Sequence, residues 1–371
     1  MQQDCDVGHI TYERICQANN LLPRSQVKRQ LWGKKLDLRY AGLLPAEVKA
    51  VAASLKRNNR IEEVDLSYNS VKEETATFVI EVLQSNTYIT KLNLAGGSLD
   101  VTGAMACCKL LTQSTSLLHL NLSDCSIGDS EIGYLAQGIQ VNHILLQLNL
   151  SKNKIGPTGA IQLSRALGEN STLVFVDLSW NHIRGGGAVA LGNSLKKNKR
   201  LEELDISWNG FGFEGSIAFG ETLRVNRTLK ILNMENNRIT WDGAPHLAKG
   251  LAVNRTLEVL QIGRNPLSMQ GCEEILKALA KPTSRVRLLS LKDIPINTKI
   301  ALKASDIAKH REFTLQHGGI LNTRDVIGFQ RQSSCTAGGR RSSAGGKPPA
   351  VKQAWGDQLQ GTGERCSKSH N

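Results

Sequence analysis

Leu145-Leu146-Gln147-Leu148-Asn149-Leu150-Ser151-Lys152-Asn153 is a phrase that this chain repeats at a fixed step. Its apolar-x-apolar block begins at Leu36, Val64, Leu92, Leu120, Leu148, Val176, Leu204, Leu232 and Leu260, each 28 residues after the last. A tenth, degraded copy starts at Leu289, one residue late. Three residues upstream of each block from Val64 to Leu260 stands another apolar position: Ile61, Ile89, Leu117, Leu145, Leu173, Leu201, Leu229 and Leu257. Self-similarity of this kind marks a solenoid, in which each unit stacks on its neighbours rather than on one central core.

Each column has a physical job. The alternating apolar residues, such as Leu148 and Leu150, turn one face of a short strand inward. An Asn column (Asn69, Asn153, Asn181, Asn209, Asn237, Asn265) closes the strand, and an inward amide can satisfy backbone groups of adjacent coils. Cys125 fills that column once. An apolar plug follows (Ile127, Ile155, Ile183, Phe211, Ile239, Leu267), then a small-residue step such as Gly159-Ala160. The second half of the unit has helical spacing, as in Gly159–Leu167. A second Asn column (Asn58, Asn86, Asn142, Asn170, Asn198, Asn226, Asn254) ends it, and a left-handed helix cap is expected there.

One strand and one helix per unit predict an α/β fold, a right-handed solenoid with a parallel sheet. Strands sit ~4.8 Å apart while packed helices need ~8–10 Å. The stack should therefore curve into a horseshoe, with the sheet on the concave face and helices on the convex face. Four segments are expected: a helical N-terminal cap (1–32), an array of about nine to ten units (33–296), a helical C-terminal cap (297–330) and a disordered basic tail rich in Gly, Ser and Arg (331–371).

These residues resemble the ribonuclease-inhibitor-like class of leucine-rich repeats over roughly residues 33–300. Within that class they are most similar to the group called leucine-rich repeat-containing protein 74. The likeness extends to Tyr12-Glu13-Arg14-Ile15-Cys16 with Pro23, and to Phe313-Thr314-Leu315-Gln316-His317-Gly318-Gly319. It implies an intracellular repeat protein with no established enzymatic chemistry. The wider class holds nuclease inhibitors, innate-immune sensor domains, actin-capping proteins and activators of the Ran GTPase, and fold alone cannot choose among them.

Composition narrows the function classes. No stretch approaches the ~18 consecutive apolar residues of a membrane span, and the N-terminus lacks the features of a secretory signal. Eight cysteines without C-x-x-C spacing fit reduced thiols in the cytoplasm or nucleus. The triplets at Asn170, Asn226 and Asn254 follow the repeat, so glycosylation is not needed to explain them. Gly210-Phe211-Gly212-Phe213-Glu214-Gly215 matches the dinucleotide fingerprint on paper, but Gly215 belongs to the periodic glycine column. The eight histidines have no ligand spacing, and no nucleophile–base pairing stands apart from the repeat. No enzyme, cofactor or metal is expected.

The informative surface is the strand face. Its middle position runs Asp37, Asp65, Asn93, Asn121, Asn149, Asp177, Asp205, Asn233, Gln261, with Glu63, Glu203 and Glu235 beside it. The position before the Asn column reads Tyr40, Tyr68, Gly96, Asp124, Lys152, Trp180, Trp208, Asn236, Arg264. Trp180 and Trp208 should be exposed neighbours beside Asp177, Asp205 and Glu203, the pattern of a binding hot spot. The expected site is thus Trp180, Trp208, Asp177, Asp205, Glu203, Glu235, Tyr68 and Asp65. It would serve a protein partner with a basic surface, gripped by a non-enzymatic, monomeric scaffold. Basic residues at helix ends (Arg57–Arg60, Lys196–Arg200, Arg224–Arg227, Arg255) first suit the helix dipole. A net charge of +13 favours nonspecific polyanion binding, yet no basic–aromatic interleaving of the base-stacking kind is found along the chain. No specific nucleic acid is expected. Arg340-Arg341-Ser342-Ser343 makes Ser343 a candidate phosphosite. The alternative function is a GTPase-activating or GTPase-regulating protein resembling the Ran GTPase activator, against which stands the basic rather than acidic segment after the repeats.

Overall fold

The structure is a computed structural model that describes residues 7–69 and 71–321. Strands recur at the expected step: β1 (Lys35–Asp37), β2 (Glu63–Asp65), β3 (Lys91–Asn93), β4 (His119–Asn121) and β5 (Gln147–Asn149). They continue as β6 (Phe175–Asp177), β7 (Glu203–Asp205), β8 (Ile231–Asn233), β9 (Val259–Gln261) and β10 (Leu288–Leu291). Two helices precede them, α1 (His9–Ala18) and α2 (Ser25–Gln30). One helix then follows each strand: α3 (Pro45–Leu55), α4 (Glu73–Leu83), α5 (Val101–Gln113), α6 (Asp129–Val141) and α7 (Pro157–Glu169). The series goes on through α8 (Gly186–Lys197), α9 (Gly212–Val225), α10 (Ala244–Leu251) and α11 (Ser268–Leu279). The described chain closes with β11 (Ile296–Asn297), α12 (Thr298–His310), β12 (Thr314–His317) and β13 (Ile320–Leu321).

The strands form one eleven-stranded parallel sheet in the order β1 to β10, then β12. Register follows the repeat: Leu148 pairs with Val176, Val176 with Leu204, and Leu289 with Leu260, so the late tenth copy is in phase. The chain is an α/β leucine-rich-repeat solenoid. Leu148, Leu150, Leu163 and Leu167 are buried to 1% exposure or less, and equivalent residues continue that core from coil to coil.

The first Asn column works as an inter-coil connector. Asn153 donates from Nδ2 to the carbonyl of Leu122 in the preceding coil at 2.9 Å and to Leu150 at 3.0 Å. Its Oδ1 accepts from the amides of Cys125 and Ile127, both at 3.0 Å. Cys125 covers the position with a thiol hydrogen bond to the Leu94 carbonyl.

The second Asn column differs from expectation. Asn142, Asn170, Asn198 and Asn226 are extended, with ψ between 130° and 138°, and not left-handed. The reason lies one coil away. Asn170 Nδ2 donates to the Ile139 carbonyl at 2.8 Å, while Oδ1 accepts from Thr172 and Leu173. A long-range bond that satisfies the preceding helix end replaces the local cap. These amides are buried in their hydrogen bonds, which agrees with reading the N-x-S/T triplets as structural.

The two ends of the sheet are finished differently. At β1, Gln30 Oε1 accepts from Asp37 N at 2.8 Å and Gln26 Nε2 donates to Asp37 O at 3.1 Å, so α2 side chains occupy the free edge. At the other end, after α12, a strand appears where only a helical cap was read: β12 pairs with β10 and is largely exposed. Among the described residues no helix is long and apolar enough to cross a membrane.

Candidate functional site

The column that carries the tryptophans has a backbone signature. Tyr40, Tyr68, Gly96, Asp124, Lys152, Trp180, Trp208, Asn236 and Arg264 all have positive φ, between 50° and 73°. A left-handed residue here reverses the chain after the strand so that the following Asn can point inward. The conformation costs a non-glycine residue roughly 1–2 kcal/mol. Inter-coil hydrogen bonds offset it: Lys152 N to Ser179 O at 2.8 Å, Trp180 N to Ser207 O at 2.9 Å, Trp208 N to Glu235 O at 2.9 Å. The side chains stand outward along a ridge at the ends of the strands.

Rings on that ridge stack. Trp180 and Trp208 lie 3.9 Å apart, centroid to centroid, with planes 8° from parallel. The Arg264 guanidinium sits 5.5 Å from the Trp208 ring. Trp180 is 46% exposed, whereas Trp208 is half-buried between Trp180 and Arg264. The expectation of two exposed indoles is corrected on that point: the platform offers mainly the Trp180 face. Tyr40 and Tyr68 stack likewise at 4.6 Å and 1°. A Cβ on Gly96 would meet Tyr68 Cδ1 at 2.3 Å, so the Tyr68 ring lies directly over Gly96.

The carboxylates of the strand face are less available than their spacing suggested. Each middle-position Asp or Asn accepts from the amide two residues on, as Asp65 does from Ser67, Asp177 from Ser179 and Asp205 from Ser207. Where Asn follows Asp in the next coil, the amide donates across: Asn93 to Asp65 at 3.0 Å, Asn233 to Asp205 at 2.8 Å. Asp177 and Asp205 face each other across β6 and β7. Burial, reinforced by the charge of Asp205, pushes the Asp177 carboxyl up to about 6. Burial also raises Asp205 and, with help from Glu202, Glu203. Asp177 is buried; Asp205 and Glu203 are half-buried. Asp65 is half-buried too, with Arg39 at 3.4 Å. Glu235 stands at the turn after β8, not within the strand, and accepts from Ser290 Oγ at 3.2 Å.

The sequence reading missed an apolar component. The first strand position is half-exposed in every coil from β2 to β10, and in β6, β8, β9 and β10 it carries Phe175, Ile231, Val259 and Leu288. Comparing that column across coils would have found it. In the N-terminal coils the same position carries Lys35, Glu63 and Lys91, and Glu63 binds Lys91 at 2.6 Å and Lys35 at 3.8 Å. The C-terminal half of the floor is therefore apolar and acidic, while the N-terminal half is charged and internally paired.

Other candidates take structural roles. Arg227 donates to the carbonyls of Asn226 and Arg224, which fits the helix-end reading of the basic rim. A Cβ on Gly215 would meet Phe211 Cβ at 2.7 Å, so this glycine serves packing. Burial pushes the thiols of Cys125 and Cys272 up to about 12, away from nucleophilic character. Among the described residues no three His, Cys, Asp or Glu side chains gather as a metal site. Ser343 lies outside the described residues.

A family model described as Leucine Rich repeat matches residues 113–130, 141–164, 169–192, 197–220 and 225–247. No curated protein matches the chain. Among solved structures, an internalin (inlF) from Listeria monocytogenes str. 4b F2365 is similar at 15% identity, with a TM-score of 0.47 over 87% of this chain and 92% of that one. The actin-binding site 2 of leiomodin-1 is 18% identical, TM-score 0.34, over 55% of this chain and 96% of that one. The tropomodulin C-terminal domain of Caenorhabditis elegans is 14% identical, TM-score 0.35, over 47% and 90%. Likenesses this distant say nothing about what the chain binds. The 28-residue register held over nine copies, the eleven-stranded parallel sheet and the five matched units make the chain a leucine-rich-repeat protein.

Proposed function

We propose that the chain is a non-enzymatic scaffold that binds a protein partner on the sheet floor of its C-terminal half, with the Trp180 face as an anchor. Leucine-rich-repeat domains act generally in protein–protein interaction. The observation that carries the reading is the composition of this floor. Phe175, Ile231 and Val259 are half-exposed beside Asp177, Asp205 and Glu203, and no lysine or arginine occupies the floor positions of β6–β9. Apolar surface with a charged border of one sign suits a segment that combines apolar and basic side chains.

The finer identity belongs here as well. The register and the flanks at Tyr12–Cys16 and Phe313–Gly319 lead us to place the chain near the group called leucine-rich repeat-containing protein 74, its B form in particular. We place it in the cytoplasm or nucleus as a monomer. The test is affinity capture with the full chain and with a Phe175→Ser/Glu203→Lys variant of matched circular dichroism. Proteins retained by wild type should be lost by the variant. Recovery of the same proteins by both would overturn the floor as the docking surface.

A further inference from the structure

The indole platform borders a second surface whose chemistry is opposite to the floor. On the ridge, outward positions lie at the left-handed residue and two and four residues after it. Around the platform these are Lys152 and Lys154 in the fifth coil, Trp180, His182 and Arg184 in the sixth, Trp208, Gly210 and Gly212 in the seventh, and Asn236 and Arg238 in the eighth. Lys152, Lys154, His182, Arg184 and Arg238 are exposed. Among the described residues none of the head groups of Lys152, Lys154, Arg184 and Arg238 meets a carboxylate.

Four cations of the first coils are tied down, by contrast: Arg24 to Glu47, Lys34 to Glu62, Arg39 to Asp37 and Lys91 to Glu63, each at 2.6–2.8 Å. Beside the platform Lys152, Lys154, Arg184 and Arg238 have no such partner among the described residues, while Arg264 is held by Asp293 at 2.7 Å. The interleaving of aromatic and basic residues that is missing along the chain is present across it: Lys152, Trp180 and Trp208 follow at 28-residue steps, and Arg264, two steps further on past Asn236, lies against the Trp208 ring. Gly210 and Gly212 leave the seventh coil without side chains between Arg184 and Arg238, and a Cβ on Gly212 would meet nothing within 4 Å.

We propose that this ridge binds single-stranded nucleic acid without sequence specificity, one base stacking on the open face of Trp180 and the phosphates running past Lys152, Lys154, Arg184 and Arg238. Stacking platforms flanked by cations are how single strands are held when no base edge is read, and the phosphate contacts make such binding salt-dependent. The geometry favours a thin strand over an acidic protein. A broad acidic surface entering the concavity would meet Asp177, Asp205 and Glu203, whereas a strand on the ridge passes outside them. The inference shares Trp180 with the protein-binding reading but rests on different charges, so each can fail alone.

The test uses the full chain and fluorescein-labelled dT20, read by anisotropy and by tryptophan emission. Wild type should bind, with affinity falling as salt rises, and the oligonucleotide should quench indole emission. Lys154→Glu/Arg184→Glu, at two exposed side chains without partners, should weaken binding by about tenfold or more, and Trp180→Ala should remove the quenching. Phe175→Ser/Glu203→Lys should bind dT20 like wild type while losing protein capture. Three results would overturn the proposal: no binding by wild type, binding unchanged by both ridge variants (a strand held elsewhere on the chain), or displacement by polyglutamate of matched charge as effective as by unlabelled dT20, which would mean an acidic protein is the ligand class.

Discussion

Tyr40 and Tyr68 occupy the same column, in the same left-handed conformation, as Trp180 and Trp208, yet the two pairs border different surfaces. Around the tyrosines the strand-face charges are paired: Arg39 holds Asp37 at 2.8 Å and Asp65 at 3.4 Å, and Glu63 holds Lys91 at 2.6 Å. The Tyr68 ring is seated on Gly96. Around the tryptophans the floor carries two facing carboxylates, and on the ridge Lys152, Lys154, Arg184 and Arg238 meet no carboxylate among the described residues. One backbone device thus borders a strand face with paired charges at one end of the array and a face with two unpaired carboxylates further along, although the Tyr40 ring is as open to solvent as that of Trp180. Charges satisfied within the fold ask for no ligand; charges left unpaired beside an exposed ring are available to one.

This contrast can be broken or sharpened by substitution. The largest effect tests the continuity of the core that carries both pairs. Leu150, fully buried between them, should cost roughly 2–5 kcal/mol when replaced by Ala, read as a fall in the urea midpoint. An unchanged midpoint would contradict the register that relates the two pairs.

Asp177→Asn should act in the opposite direction. The Asp177 carboxyl is raised to about 6 in the fold by burial and by Asp205, against ~3.9 in an unfolded chain. Its favourable contribution is complete below the unfolded value and is lost as pH rises through about 6. At pH 7 the charged group is a liability, and an Asn can donate to Asp205 as Asn233 does. The variant should be more stable than wild type at pH 7 by about 1–3 kcal/mol, with the advantage shrinking towards pH 4. An equal difference at both pH values would remove the carboxylate pair as its cause.

Gly96→Ala should cost about 1–2 kcal/mol, since it places a Cβ at positive φ under the Tyr68 ring. Protein capture at the tryptophan end should not change. Smallest of all is Lys91→Met. Its pair with Glu63 is half-exposed, so the loss should stay below about 1 kcal/mol and fade with salt.

The 28-residue step made the coil, the sheet, its register and the adjacency of Trp180 and Trp208 legible in the amino-acid sequence. Legibility failed where a residue's partner sits a coil away. The second Asn column has the residue type of a local left-handed cap, but Asn170 reaches back to Ile139. The left-handed positions belong to the ridge column, where non-glycine side chains gave no hint. Strand β12, with its Thr314-Leu315-Gln316-His317, lacks the repeat's apolar spacing and is defined only by pairing with β10. For the site, chain neighbours misled: Asp177 precedes Trp180 by three residues, yet faces the floor and is buried, while Lys154 and Arg238, distant in sequence, share the ridge.

The most direct test places the two pairs side by side. Tyr40→Ala/Tyr68→Ala and Trp180→Ala/Trp208→Ala are compared with wild type in protein capture by the full chain, with urea midpoints measured in parallel. The account predicts that the tryptophan variant loses proteins that the tyrosine variant retains, while both remain folded. Retention by the tryptophan variant, or equal loss by both, would contradict it.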